Sequence, residues 1–255
     1  MKLPRIVGRA ACIAALLLPL RPGAAAADPA PASGGWVYAV RWSTLPQKDR
    51  VEDSAYGAWS RVAIPRGLAV PGVRELRTFR AAAGEPHILT LFAFDSLAAL
   101  AAWRASPVVD SLVGQARQLT YELASEIWGP SPWLPAPLVP AGRDPAPGGH
   151  ALYIMSWSVA PDRDEDYARW VRAAVARWAA APEILSVSAW RVVAGAHADV
   201  VAFEFPGLEA WARWYADGEV QKTRIESREL IVDVRSELWG PNPLIPRPLH
   251  PAAAR

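Results

Sequence analysis

Two glutamates are the best placed side chains for chemistry in this 255-residue chain. Glu126 stands in Ser125-Glu126-Ile127-Trp128-Gly129-Pro130, and Glu237 stands in Ser236-Glu237-Leu238-Trp239-Gly240-Pro241, 111 residues later. Carboxylates brought face to face raise one another's pKa and divide into an acid and a base. The competing and favoured reading pairs them with arginines such as Arg77, Arg80, Arg191 or Arg235, or leaves them at a solvated rim. Glu122 and Asp233 precede them by four residues on the same expected strand face.

Thirteen tryptophans form the second feature. Trp42/Trp157, Trp59/Trp170, Trp103/Trp214 and Trp128/Trp239 recur as pairs, and Phe79/Trp190 recurs as an aromatic pair. Most are expected in cores, where each indole N–H needs an acceptor. The functional reading places Trp59, Trp170, Trp128 and Trp239, with Phe79 and Trp190, around an aromatic-walled pocket for a small apolar or aromatic molecule. Arg80 and Arg191 follow Phe79 and Trp190, and their guanidinium forks suit a ligand carboxylate. The duplicated Arg117 and Arg228 read as surface or helix-end residues.

Much chemistry is excluded. His87, His150, His197 and His250 show no metal-ligand spacing, so no metal and no cofactor is expected. There is no glycine-rich phosphate loop, Gly-x-Ser-x-Gly elbow or nucleotide fingerprint. Cys12 is the single cysteine and lies in the expected leader, which leaves no thiol nucleophile, disulfide or thiolate metal site beyond it.

Residues 1–27 have the pattern of a secretory signal peptide: basic Lys2, Arg5 and Arg9, an apolar run too short to span a bilayer, and small residues up to Ala27. The expected location is periplasmic or secreted, with cleavage near Ala27 and no membrane anchor afterwards. That segment holds Lys2, Arg5, Arg9, Arg21 and no acid, so the formal +2 becomes about −2 without it. Such a balance does not favour nucleic acid as a partner.

The elements that position these residues are legible from the duplication. From Tyr56 to Pro140, each residue has its counterpart 111 positions on, without a gap. Trp59/Trp170, Pro71/Pro182, Arg80/Arg191, Gly84/Gly195, Phe92/Phe203 and Trp103/Trp214 are among the pairs. Self-similarity of that length means one fold unit built twice. Each unit reads strand, helix, β-hairpin, helical region, strand. The opening strands are Trp36–Trp42 and Ala151–Trp157, followed by helices from Asp53 and Asp164. Pro65 is expected to kink the first helix. Gly84 and Gly195 belong in the hairpin turns, where glycine accepts positive φ. The closing strands alternate Leu119, Tyr121, Leu123 and Ile127 with Thr120, Glu122, Glu126 and Trp128. In the second copy Leu230, Val232, Val234 and Leu238 form the apolar face.

The order β-α-β-β-α-β defines an α+β class with two tandem ferredoxin-like units, 35–130 and 150–241. A leader (28–34), a proline-rich linker (131–149) and a proline-rich tail (242–255) flank them. Helices cover one face of each sheet. The other face requires a partner, which the second copy supplies, giving an intramolecular α/β barrel that can exist as a monomer.

On this pattern the chain resembles the dimeric α/β-barrel superfamily, in its EthD-like branch. That branch carries Trp-Tyr-x-x-x-His-x-Pro and then Leu-x-x-Pro-Gly. Here Ala58-Trp59-Ser60-Arg61-Val62-Ala63-Ile64-Pro65 and Leu68-Ala69-Val70-Pro71-Gly72 keep the spacing and both prolines. The resemblance implies a histidine at Ala63 and Ala174, and alanine carries no proton, so any acid/base role of that histidine is absent. Some members of the superfamily bind haem through a histidine, and no histidine here falls on an expected helix. The readings in order are a non-catalytic exported binding protein, a structural or interaction module with a solid core, and a cofactor-independent monooxygenase-like or EthD-like enzyme with Glu126 or Glu237 as base.

Overall fold

The computed structural model describes residues 35–45, 54–143 and 150–251. The expected signal peptide, the leader up to residue 34, Asp53, and residues 144–149 and 252–255 lie outside them. Among the described residues no helix is long and apolar enough to cross a membrane.

The first unit runs β1 (Trp36–Thr44), α1 (Ala55–Leu68), β2 (Val73–Ala81), β3 (Ile88–Phe94), α2 (Leu97–Arg104), α3 (Pro107–Ala116) and β4 (Thr120–Pro130). The second runs β5 (Ala151–Val159), α4 (Asp164–Ala179), β6 (Ser186–Ala194), β7 (Asp199–Phe205), α5 (Leu208–Ala216), α6 (Gly218–Glu226) and β8 (Ile231–Pro241). The eight strands close into one barrel in the order β1-β3-β2-β8-β5-β7-β6-β4. Every pairing is antiparallel, including the seams β2–β8 and β4–β6. β1 and β5 therefore run the same way, and the pseudo-twofold lies along the barrel axis.

Alternation on each strand sorts the core into three parts. Tyr38, Val40, Trp42, Tyr56, Leu76 and Trp103 pack between the first sheet and its helices. Tyr153, Met155, Trp157, Tyr167, Trp178 and Trp214 do the same in the second unit. Inside the barrel lie Ala39, Leu89, Trp128, Ile154, Val200 and Trp239, which are fully buried.

Some of the expected local features hold and others do not. α1 continues through Pro65 to Leu68. It is capped by Ser54, whose Oγ accepts from the Gly57 amide at 3.0 Å. Asp164, Glu165 and Asp166 occupy the first turn of α4, as its dipole favours. The alternation of the closing strands breaks at Glu122 and Asp233, both at φ 53°. Opposite them, register shifts occur between Arg41 and Ser43 and between Ser156 and Ser158. An inserted residue re-aims the strand, so Val232 and Val234 are exposed rather than buried. Gly84 takes positive φ as expected, whereas Gly195 does not. A Cβ at Gly195 would meet Val192 Cγ1 at 2.7 Å and Glu126 Cγ at 3.0 Å, so close approach explains that glycine.

The linker and tail are reciprocal arms. Leu138, after β4, exchanges both backbone hydrogen bonds with Val187 of the second unit. Its counterpart Leu249 does the same with Leu76 of the first. Each arm turns on an equivalent side chain: Ser131 Oγ accepts from the Trp133 and Leu134 amides, and Asn242 Oδ1 accepts from the Leu244 amide.

Candidate functional site

Arg41 faces the lumen because it continues the Val37, Ala39 alternation of β1, and it is 3% exposed. Its guanidinium joins the duplicated carboxylates: Nη1 lies 2.9 Å from Glu126 Oε2, and Nε lies 2.9 Å from Glu237 Oε2. Arg235 Nη2 reaches Glu237 Oε1 at 2.6 Å from the solvent side. Trp128 donates its Nε1–H to Glu126 Oε2 at 3.0 Å, and Arg41 lies 5.6 Å from the centre of that indole. The cluster thus holds two guanidinium groups and two carboxylates. The twofold would place a second arginine at Ser156, so the arrangement is asymmetric although its glutamates are duplicated.

The lumen has a closed and an open end. Trp128 and Trp239 fill its middle, and Trp190 packs on Trp128 with ring centres 5.4 Å apart. At the ends of β1 and β5, Ala124 and Arg235 stand on the inward face of β4 and β8 and are nevertheless exposed. There the charged cluster meets solvent. At the other end Arg77 crosses from β2 to Glu204 on β7, with His150 Nδ1 3.7 Å from the same carboxylate. Arg77 lines a water-sized cleft of about 20 Å³ under the tail prolines Pro246 and Pro248.

Of the eight predicted ligand-contacting residues, Trp128, Trp239, Phe79 and Trp190 face the lumen. The other four lie outside the barrel, because they sit on helices or at alternate strand positions. Trp59 is half-buried on α1 and donates to Gln115 Oε1 at 3.2 Å. Trp170 packs on Tyr167 and Trp178. Arg80 is exposed on the outer face of β2. Arg191 is on the outer face of β6, where Nε binds Asp199 Oδ1 at 2.8 Å. Asp199 is fully buried and also accepts from Tyr167 Oη at 2.8 Å. Burial, then the Asp199 charge, hold the Tyr167 hydroxyl far above its ordinary pKa. Glu122 points not into the lumen but to the rim, beside Glu85 and Tyr121. Among the described residues no cluster of histidine and acidic side chains has the makings of a metal site. Arg41, Glu204, His150 and Asp199 are the polar residues that sequence reasoning missed. The inward alternation of β1 marks Arg41, but the others carry no motif.

Glu204 yields a pH prediction. Burial pushes its carboxyl up, but the neighbouring His150 and the Arg77 charge outweigh burial and bring it from 4.5 down to about 2. A carboxyl depressed on folding stabilises the protein above its unfolded pKa and loses that contribution as pH falls through the folded one. The wild type is expected to lose ~3 kcal/mol between about pH 4.5 and 2 from this group. Urea unfolding across that range checks it: Glu204→Gln should show a shallower acid decline, and an identical decline would refute the assignment.

The fold and lumen define the class: two ferredoxin-like units of one chain closed into a single α/β barrel. Solved structures share it. An anthrone oxidase-like protein superposes with a TM-score of 0.62 at 11% identity, covering 87% of this chain and 97% of that one. A protein provisionally named a monooxygenase from Lactobacillus acidophilus gives 0.55 at 11% identity, covering 80% and 93%. Another, provisionally named a chlorite dismutase, gives 0.55 at 15% identity over 80% and 93%. At these identities the likeness is one of fold. No protein-family model matches the sequence, and no curated protein matches it.

Proposed function

We propose that this protein binds a small aromatic molecule at the open end of its barrel, without transforming it. The supporting observation is the Arg41–Glu126–Glu237–Arg235 cluster, set on tryptophans and open to solvent beside Ala124. Charged groups inside a barrel are costly unless paired, and a core needed only for packing would do without them. A planar ligand would lie over the paired guanidinium groups of Arg41 and Arg235 and hydrogen-bond to Arg235, the cluster member that reaches water. Catalysis is not favoured, because both glutamates are ion-paired and Ala63 and Ala174 replace the family histidine. We further propose that the protein is exported with loss of residues 1–27; N-terminal sequencing of the protein from its host tests this.

Titration with 2-naphthol, followed through the indole ¹H–¹⁵N signals, tests binding. Saturable shifts at Trp128, whose Nε1–H is held by Glu126 of the cluster, weakened about tenfold by Arg235→Ala as loss of one charge-assisted hydrogen bond implies, are the expected result. A second reading, an interaction module with a solid core, is favoured by Trp128 and Trp239 at 0% and 1% exposure. Unmoved lumen signals in the folded protein would select that reading over the first.

A further inference from the structure

The duplication makes each unit the reference for the other, and one place differs sharply. In the first unit α1 and α3 pack together through Gly67. A Cβ there would lie 3.7 Å from Leu112 Cδ1, and the Gly67 carbonyl accepts from Trp103 Nε1 at 3.0 Å. In the second unit those three positions are Trp178, Thr223 and Trp214. A large indole stands in place of a glycine hydrogen. Thr223, in place of the leucine, turns back to its own helix and donates to the Glu219 carbonyl at 2.9 Å. Trp214 Nε1, whose counterpart is satisfied, has no acceptor among the described residues. Between the end of α4 and the α5–α6 corner this leaves a cavity of about 330 Å³, large enough for a small organic molecule. Arg177 and Glu226 tie α4 to α6 across it at 2.7 Å.

We propose that this cavity is a second binding site, separate from the barrel lumen, for a small organic cation: an ammonium group on an aromatic or alkyl body. Trp178, Ala181, Pro182 and Val220 give it apolar walls. Its two arginines are already answered, Arg177 by Glu226 and Arg213 by Glu183 at 3.7 Å. Asp217 Oδ1 is engaged as the cap of α6 by the Glu219 and Val220 amides at 2.9 and 3.2 Å. The Glu219 carboxylate has no ion-pair partner among the described residues, and it is the charge left to a ligand. An ammonium at Glu219 places the apolar body of the molecule against the walls, whereas an anion there meets repulsion.

Titrating the full chain with phenethylammonium, phenethyl alcohol and 3-phenylpropionate tests the site. The indole ¹H–¹⁵N signals of Trp178 and Trp214 are the readout, with Trp178 assigned through Trp178→Phe. The ammonium compound should shift one or both saturably while leaving Trp128 and Trp190 unmoved, which separates this site from the lumen. Glu219→Gln should weaken binding about fivefold, as loss of one partly exposed ion pair implies. Ala181→Trp, at a half-buried wall position, should abolish binding in a protein that still folds. No saturable shift, or one that survives Ala181→Trp, overturns the site. Equal affinity for the three probes overturns its cation selectivity.

Discussion

Arg41→Ala is expected to lower the unfolding free energy by ~3–5 kcal/mol, one of the two largest effects in the molecule. The guanidinium is 3% exposed and accounts for one oxygen on each of two carboxylates that are themselves largely out of water. Removing it leaves Glu126 with only the Trp128 indole and Glu237 with only Arg235. The cost is that of stranded charge rather than of lost contact area, and a compensating variant separates the two. Arg41→Met combined with Glu126→Leu and Glu237→Leu removes all three charges while roughly keeping volume. Arg235, half in water, needs no partner to remain solvated. The triple variant should recover most of the stability lost in Arg41→Ala, because a buried ion network replaced by apolar side chains is often neutral or stabilising. Guanidinium chloride unfolding of both variants decides the matter. A triple variant as unstable as the single one would show that the lumen depends on the shape of Arg41 and not on its charge.

That arginine also explains what could be read from the sequence. The gap-free offset of 111 made the duplication, the element order and the sheet-to-sheet pairing legible. Duplication weights residues present twice, so it singled out Glu126/Glu237 and Trp128/Trp239, which the fold does bring into one lumen. The same weighting hid Arg41, whose counterpart is Ser156, and the Arg77–Glu204 pair, whose counterparts are Ser188 and Ala93. It promoted Trp59/Trp170 and Arg80/Arg191, which recur because each unit repeats its own helix packing and outer strand face. The period-two count failed at Glu122 and Asp233. There a non-glycine residue takes positive φ, and nothing in residue type announces it. Gly195 was legible as a required glycine but for the wrong reason, because its crowding comes from Glu126 on another strand.

Severing the chain within residues 144–149 is expected to give two halves that recombine with each other and do not persist alone as soluble monomers. Each half sheet carries an apolar inner face, with Leu89, Leu91 and Trp128 in one and Ile154, Val200 and Trp239 in the other, that only the opposite half covers. Each also carries an arm whose backbone hydrogen bonds are made on the other half, Leu138 to Val187 and Leu249 to Leu76. Like halves would still match in shape, since the units are copies, so charge must supply the preference. A pair of first units would bring two copies of Arg77 against Ala93, leaving each only Glu75 of its own strand, 3.7 Å away. A pair of second units would bring two copies of Glu204 against Ser188, with no arginine. Only the mixed pair joins Arg77 to Glu204, and taking the arginine from that largely buried carboxylate costs several kcal/mol. Native mass spectrometry of separately produced halves, refolded together, should therefore show the mixed dimer well above either like pair. Arg77→Ser should erode that preference by relieving the first-unit pair. A half that stays soluble and monomeric would overturn the closed barrel itself, and equal amounts of the three dimers would overturn the role given to Arg77 and Glu204.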